Sequence, residues 1–287
     1  MEANTDLNDR RLADAWAELH NFAVAGNPLD ADAYRLAFAD PEFMLRRETR
    51  GIRFQLELLK PDLEMAALGI EHTVVVYGSA RMLSKEDAAQ QLQAAQASGD
   101  EERIARGELA VRNSHYYDQA RQFARLVAEY GKSRPQKERI YICTGGGPGI
   151  MEAANRGAHD AGALNVGLNI TLPHEQSGNK YISPSLCFKF HYFALRKMHF
   201  LMRAKALVAF PGGFGTLDEL FEVLTLVQTG KAKALPIILF GSEFWKKLIN
   251  FDALVEQGTV SANDLKLFHY VDDPAEAWQL IRNFYHI

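Results

Sequence analysis

Cysteine is scarce. The 287 residues hold two, Cys143 and Cys187, each in an apolar stretch and without C-x-x-C spacing. That speaks against a disulfide framework or a thiolate metal site, and both are read as core thiols in a reducing compartment. Neither sign of charge is in excess: 32 Lys+Arg against 36 Asp+Glu give a net charge of −4. Nothing in that balance calls for nucleic acid or a membrane surface as partner. No apolar run is long enough to span a bilayer, and Met1 to Arg10 is acidic and polar, so the expected location is cytoplasmic. The G-x-G-x-x-G and G-x-x-x-x-G-K-[ST] spacings are missing, which leaves NAD and a Walker-type nucleotide site unsupported. The nine histidines are scattered, with no metal cluster, Ser-His-Asp order or Cys-His pair. No metal and no cofactor are expected. His174, in a loop, is the one histidine to watch, and His191 and His199 are read as helix packing.

What the chain does have is glycine at the ends of short apolar runs. Ala206 to Phe210 is such a run, and Pro211-Gly212-Gly213-Phe214-Gly215-Thr216-Leu217-Asp218-Glu219 follows it. A run bounded by Pro-Gly reads as a buried strand. The spacing of Leu217, Leu220, Phe221, Leu224 and Val227 reads as a helix. Thr216 falls where an N-cap belongs. Free amides and the positive end of the helix dipole then converge on one spot, a ready anion site. Glu219, three residues beyond Thr216, has two readings: the carboxylate of a capping box, or a catalytic carboxylate beside a bound phosphate ester. A second junction is Ile140 to Cys143 followed by Thr144-Gly145-Gly146-Gly147-Pro148-Gly149 and a helix from Ile150. A third is Val74 to Tyr77 followed by Gly78-Ser79-Ala80-Arg81.

Further runs at Asn165–Ile170, Cys187–Phe190, Pro236–Phe240 and Phe268–Val271 alternate with helical stretches, among them His191 to Ala204, Phe244 to Gln257 and Pro274 to Phe284. The pattern predicts an α/β fold: a Rossmann-like, doubly wound, mostly parallel sheet with right-handed crossovers. Ligands of such sheets sit outside the carboxyl ends of the strands. Residues 1–70 lack glycine-ended strands and read as a helical N-terminal extension, with helices near 7–24, 30–38 and 41–59 and Pro61 as a break or a new start. Residues 71–287 are expected to form one Rossmann-like α/β domain. It carries a helical insertion after the first strand, about 82–112, ahead of a helix at 116–130. Ser84 with Asp87 is a capping arrangement. The arginines from Arg46 to Arg53 are either an anion site or a solvated, ion-paired face.

The segments Pro211–Glu219 and Gly145–Met151 match the motifs PGGxGTxxE and GGGPGIM, and together they resemble the LOG family of cytokinin riboside 5′-monophosphate phosphoribohydrolases. Members are often labelled lysine decarboxylases. The resemblance runs from about Thr73 to the C-terminus. It extends to Arg196-Lys197, although Ala194 stands where the family more often has histidine. The resemblance implies Glu219 and Arg196 as catalytic residues. It implies that Gly212, Gly213, Gly215 and Thr216 hold a 5′-phosphate, and that Gly146, Gly147 and Met151 lie near the nucleotide. Ser79, Arg81 and Lys197 are further binding candidates. A homodimer or a multiple of it is implied, with sites close to the subunit interface. The extra N-terminal and inserted segments resemble the longer bacterial nucleotide 5′-monophosphate nucleosidases.

Hydrolysis of an N-glycosidic bond to free base and ribose 5-phosphate fits this inventory. A carboxylate can stabilise an oxocarbenium-like transition state and activate water, and remote phosphate binding can orient the sugar. Lys180 and Lys197 lack a pyridoxal phosphate context, so the decarboxylase label is set aside. The rival readings are a nucleotide or molybdenum-cofactor carrier without catalysis, and a nucleotide sensor.

Overall fold

The computed structural model describes residues 36–171 and 177–287. The chain divides into two compact units, Met1–Leu56 and Glu57–Ile287. In the first, the helix α1 (Pro41–Leu45) opens on Asp40, whose carboxylate accepts from the amides of Glu42 and Phe43 at 3.0 and 3.2 Å. The helix expected over 41–59 breaks after Leu45 and resumes as α2 (Arg50–Ala67). The Thr49 hydroxyl lies 2.9 Å from both the Met44 and Arg46 carbonyl oxygens, which gives those end carbonyls a partner outside the helix. Arg53, from the arginine cluster, donates to the Arg46 carbonyl at 2.8 Å. Of the helices expected over 7–24 and 30–38, only 36–38 fall among the described residues, where Ala37–Ala39 is a single 3-10 turn. Pro61 does not end a segment. It is buried inside α2, where it costs one ladder bond, the one toward Glu57.

The second unit is built on seven parallel strands: β1 (His72–Tyr77), β2 (Ile140–Thr144), β3 (Asn165–Ile170), β4 (Cys187–Phe190), β5 (Ala204–Ala209), β6 (Ile237–Phe240) and β7 (Phe268–Val271). Their order is β4-β3-β2-β1-β5-β6-β7. Central β1 pairs with β2 (Val75 beside Cys143) and with β5 (Val75 beside Leu207). The chain winds outward from β1 to β4, then returns to the other side of β1. The reversal between β1 and β5 opens the crevice in which ligands of such sheets bind.

Strand residues alternate between two apolar layers. Val74, Val76, Ile142 and Val208 face a layer with α4 (Glu101–Lys132), α5 (Ile150–Asp160) and α10 (Pro274–Tyr285). Val75, Tyr77, Cys143 and Leu207 face the opposite layer, which includes Met65, Phe200 of α6 (Phe193–Met202) and Leu220 of α7 (Phe214–Gln228). Burial on both faces is why these strands read as continuous apolar runs.

The insertion is a hairpin of α3 (Lys85–Ser98) and the first part of α4, divided by Gly99 in the left-handed conformation (φ 67°). Ser84 caps α3 by accepting from the Asp87 amide at 3.1 Å. The separate helix expected from residue 116 is instead the continuation of the 32-residue α4. Buried Ser114 turns its hydroxyl back to the Val111 carbonyl at 2.8 Å, so the polar stretch there does not break the helix. The helix expected over 244–257 is two, α8 (Ser242–Leu248) and α9 (Phe251–Glu256), because the Asn250 side chain caps the second at the Ala253 amide (3.2 Å). Cys143 is buried, but Cys187 is exposed, contrary to expectation. It opens the outermost strand β4, whose residues alternate outward and inward. Among the described residues no helix is long and apolar enough to cross a membrane.

Helices α4 and α5 approach closely because Gly157 has no side chain. A Cβ there would meet the Arg121 carbonyl oxygen and lie 3.0 Å from the Ala124 Cβ. Gly157→Ala is expected to destabilise the protein by about 2–3 kcal/mol through overpacking against backbone. Urea unfolding of the two proteins measures it, and an unchanged midpoint would show that the helices can part at little cost.

Candidate active site

The carboxyl ends of β1, β2 and β5 are tied into one surface. The Ser79 amide donates to the Pro211 carbonyl at 3.0 Å, the Ile150 amide to the Ser79 carbonyl at 3.1 Å, and the Phe210 amide to the Tyr77 carbonyl at 2.9 Å. Gly149 stands at φ 70°, and a Cβ on it would lie 2.7 Å from the Ala80 carbonyl carbon. Only glycine meets both conditions.

A buried amide network holds the glycine turn after β2. Asn155 accepts from the Thr144 hydroxyl at 2.7 Å and from the Asn179 side chain at 2.9 Å, and it donates to Asn165 at 2.8 Å. Asn179 also donates to the Gly147 carbonyl at 3.0 Å, and its amide to the Gly146 carbonyl at 2.8 Å. Gly146 and Gly147 therefore serve the shape of the turn. They do not line the cleft.

That cleft, about 610 Å³, lies between the three turns. Ser79, Arg81, Met151, Arg196, Thr216 and Glu219 line it, as do Gly213 and Gly215. Gly212 does not. It backs onto Thr216, 2.6 Å from whose Cβ a Cβ of its own would fall, whereas among the described residues, chain neighbours and the helix's own backbone aside, no atom lies within 4 Å of a Cβ built on Gly213 or Gly215. Tyr77, Phe193 and Phe214 also line the cleft and were not expected there, since single aromatics at strand and helix ends carry no spacing signal. Phe214 is 91% exposed.

Helix α7 starts at Phe214 with Gly213 as its N-cap and no side-chain cap. Thr216 is the third helical residue, so the expected N-cap is corrected. Glu219 sits in the second turn, out of place for a capping box. The helix ladder begins with the Leu217 amide on the Gly213 carbonyl at 3.0 Å. The amides of Phe214, Gly215 and Thr216 thus have no partner within the helix, at its positive end.

Arg196 reaches the cleft from α6. Its Nε donates to the Leu168 carbonyl at 2.7 Å, its guanidinium lies 5.0 Å from the centroid of the Phe200 ring, and Nη1 stands 3.7 Å from Glu219 Oε1. Glu57 positions this helix: its two carboxylate oxygens accept from the amides of His191 and Tyr192 at 3.0 and 3.1 Å, a negative charge at a helix start. His191 itself is exposed and does not pack in the helix, while His199 is buried. His174 lies outside the described residues. Lys197 turns away from the cleft to Asp218 (2.9 Å) and Glu222 (3.0 Å).

Both charged groups at the centre are nearly out of water, with side-chain exposures of 13% for Arg196 and 9% for Glu219. Burial pushes the Glu219 carboxyl up to about 7, against the opposing pull of Arg196 and then Lys197. Burial likewise lowers Arg196 from the usual guanidinium value. A carboxyl poised near neutrality can exchange a proton at working pH, which a surface carboxylate cannot do as well.

A family model described as "Possible lysine decarboxylase" matches residues 151–281. Over 157 residues the chain is 28% identical to the probable cytokinin riboside 5′-monophosphate phosphoribohydrolase LOG4 of Oryza sativa subsp. japonica, covering 54% of this chain and 67% of the relative. Over 122 residues it is 31% identical to the cytokinin riboside 5′-monophosphate phosphoribohydrolase LOG4 of Arabidopsis thaliana, covering 42% of this chain and 55% of the relative. The chain thus spans between 55% and 67% of the length of these two relatives. Among solved structures, the molybdenum cofactor binding protein of Rippkaea orientalis is similar, with a TM-score of 0.42 and 19% identity, over 75% of this chain and 97% of that one. The region matched by the family model holds Arg196 and the whole turn from Pro211 to Glu219, and over these matches the chain is similar to the LOG phosphoribohydrolases.

Proposed function

We propose that the cleft hydrolyses the N-glycosidic bond of a nucleoside 5′-monophosphate, giving free base and ribose 5-phosphate. The observation that carries this is the placement of Glu219: a buried carboxyl raised to about 7, on the same helix as the amides of Phe214, Gly215 and Thr216, which have no partner within that helix. The amides take the 5′-phosphate, with Arg81 at the rim. Ionised Glu219 stabilises positive charge growing on the ribose and accepts a proton from water. The C1′–N bond breaks, the water oxygen bonds to C1′, one water proton passes to Glu219, and the departing base takes up a proton. Arg196 neutralises charge on the leaving group or the phosphate. The relatives' printed activity, on cytokinin riboside 5′-monophosphates, is of this reaction class. A homodimer or a multiple of it belongs to the same reading.

A pyridoxal-type decarboxylase fits poorly. It needs a free lysine amine in the site, and Lys197 is held by two carboxylates while Lys180 lies over the Tyr181 ring, 5.2 Å from its centroid.

The test is to incubate the purified protein with AMP, GMP, CMP, UMP and N6-isopentenyl-AMP and to follow base and ribose 5-phosphate by chromatography. Base release is expected from at least one of them, and the rank order assigns the substrate. Tight binding without release from any would replace the hydrolase with a carrier or sensor.

A further inference from the structure

Three carboxylates crowd one stretch of α7: Asp218, Glu219 and Glu222. Asp218 and Glu222 are four positions apart on one face, and Glu222 is three beyond Glu219. Like charges at such spacings repel, and α7 holds no lysine, arginine or histidine of its own. The neutralising cation comes from another helix. Lys197 of α6 donates its ammonium to Asp218 at 2.9 Å, and Glu222 Oε2 lies 3.0 Å from the same nitrogen. The Lys197 side chain is only 17% exposed, unlike the loose surface pairs that water screens. Burial works against its charge, but the bonds to Asp218 and Glu222 outweigh it and hold the ammonium above its usual range. Asp218 and Glu219 line the cleft, whereas Lys197 and Glu222 line a separate cavity of about 600 Å³. Lys197 therefore stands outside the space a substrate would fill.

We propose that Lys197 is a positioning residue: by bridging Asp218 and Glu222 it cancels the two charges that flank Glu219, so that Glu219 ionises beside Arg196. The inference rests on the hydrolase reading for its purpose but not for its test. The groups around Glu219 come from four elements. From α6, Arg196, with Nη1 3.7 Å from Glu219 Oε1, and then Lys197 favour the ionised carboxyl. From α7, Glu222 and then Asp218 oppose it. From β1, burial first and then the Glu219 charge hold the Tyr77 phenol well above its ordinary value, so it is neutral. From β2, burial pushes the Cys143 thiol up to about 12, and it is neutral too. Ser79 and Thr216 bring hydroxyls without charge to the cleft, and Arg81 brings a cation to its rim. Arg196 is also committed elsewhere, since its Nε donates to the Leu168 carbonyl at 2.7 Å. Without Lys197, Asp218 and Glu222 would flank Glu219 uncompensated.

The experiment is an isotope-edited infrared titration of the Glu219 carboxyl in the ligand-free protein, with Glu219→Gln as the blank. Lys197→Met is expected to raise the midpoint by about one pH unit, whereas Lys197→Arg, which keeps the cation, should titrate as wild type does. Adding Asp218→Asn and Glu222→Gln to Lys197→Met should bring the midpoint back, because the flanking charges leave with the cation. The acidic limb of the kcat profile should follow the midpoint while KM for the nucleotide stays within about twofold. An unmoved midpoint in Lys197→Met would overturn the proposal. So would a triple variant as displaced as Lys197→Met, the result expected if the bridge acted through packing alone. Should Lys197→Met not fold, Asp218→Asn with Glu222→Gln beside the native lysine reads the same link: a lower midpoint is expected, and an unmoved one overturns it. If no nucleotide is cleaved by wild type, the hydrolase reading fails alone, and the carboxyl titration still decides the role of Lys197.

Discussion

Glu219→Gln is expected to lower base release by at least ~10³-fold, the scale of removing a general base that also stabilises transition-state charge. Affinity for the nucleotide should change little, because the amides of Phe214 to Thr216, proposed to take the phosphate, belong to the backbone. The variant should also be the more stable protein at alkaline pH, and the sign follows from its raised carboxyl. The native state holds the Glu219 proton up to about pH 7, whereas an unfolded glutamate releases it near pH 4.3. Between those values the native state binds more protons than the unfolded one, so wild-type stability falls as pH rises through the window. Glutamine does not titrate. The Tm difference in favour of Glu219→Gln should therefore grow from pH 4 to pH 7 and level off above it. Wild-type activity should run the other way, rising through pH 7 as the carboxylate forms. Thermal unfolding and initial rates across pH 4–9 test both. A variant that retained turnover would remove Glu219 from the chemistry, and a Tm difference independent of pH would contradict its buried titration.

Arg196→Met comes next in size. Methionine fills much of the same volume but leaves Glu219 with no cation at 3.7 Å and the leaving group with none to neutralise it. Activity should fall by about 10²–10³-fold. The Glu219 midpoint should move further up, because Arg196 is the largest influence holding it down, and the acidic limb of the rate profile should move with it. The stability loss, about 2 kcal/mol at pH 8 from a stranded carboxylate, should shrink at pH 5, where Glu219 takes up a proton. Parallel denaturation at the two pH values checks this. An equal loss at both would mean that Arg196 matters through the Leu168 carbonyl and the Phe200 ring alone.

The sheet was legible because its strands are buried on both faces. Apolar runs such as Ile140–Cys143 and Ile237–Phe240, bounded by glycine, can be little else in an alternating pattern. The Pro211–Glu219 turn was legible as a strand-to-helix junction for the same reason. Its cap was not. Thr216 and Glu219 have capping-box spacing, but two glycines let the helix begin earlier, at Phe214, and only backbone geometry reveals that choice. The anion-site reading does not depend on that cap, since an end with no side-chain cap leaves more amides open. The supporting groups were illegible for a different reason. Asn155, Asn165 and Asn179 form one network from three separate elements, and Glu57 reaches α6 across 134 positions of sequence. Such pairings have no local period to read. The helix break at Thr49 and the continuity of α4 through Ser114 involve the same kind of contact, a buried hydroxyl bonded to a nearby carbonyl, at the end of one helix and inside the other.

The central place of β1 also bears on how the chain is made. Strand β1 receives β2 on one side early in synthesis, but its other edge, Val74 to Tyr77, waits for Ala204 to Ala209. On a ribosome that edge stays unpaired while well over a hundred further residues emerge, and an open apolar edge is a template for wrong partners. A nascent chain short of β5 has no complete cleft and no covered centre, because β5 supplies the second neighbour of β1.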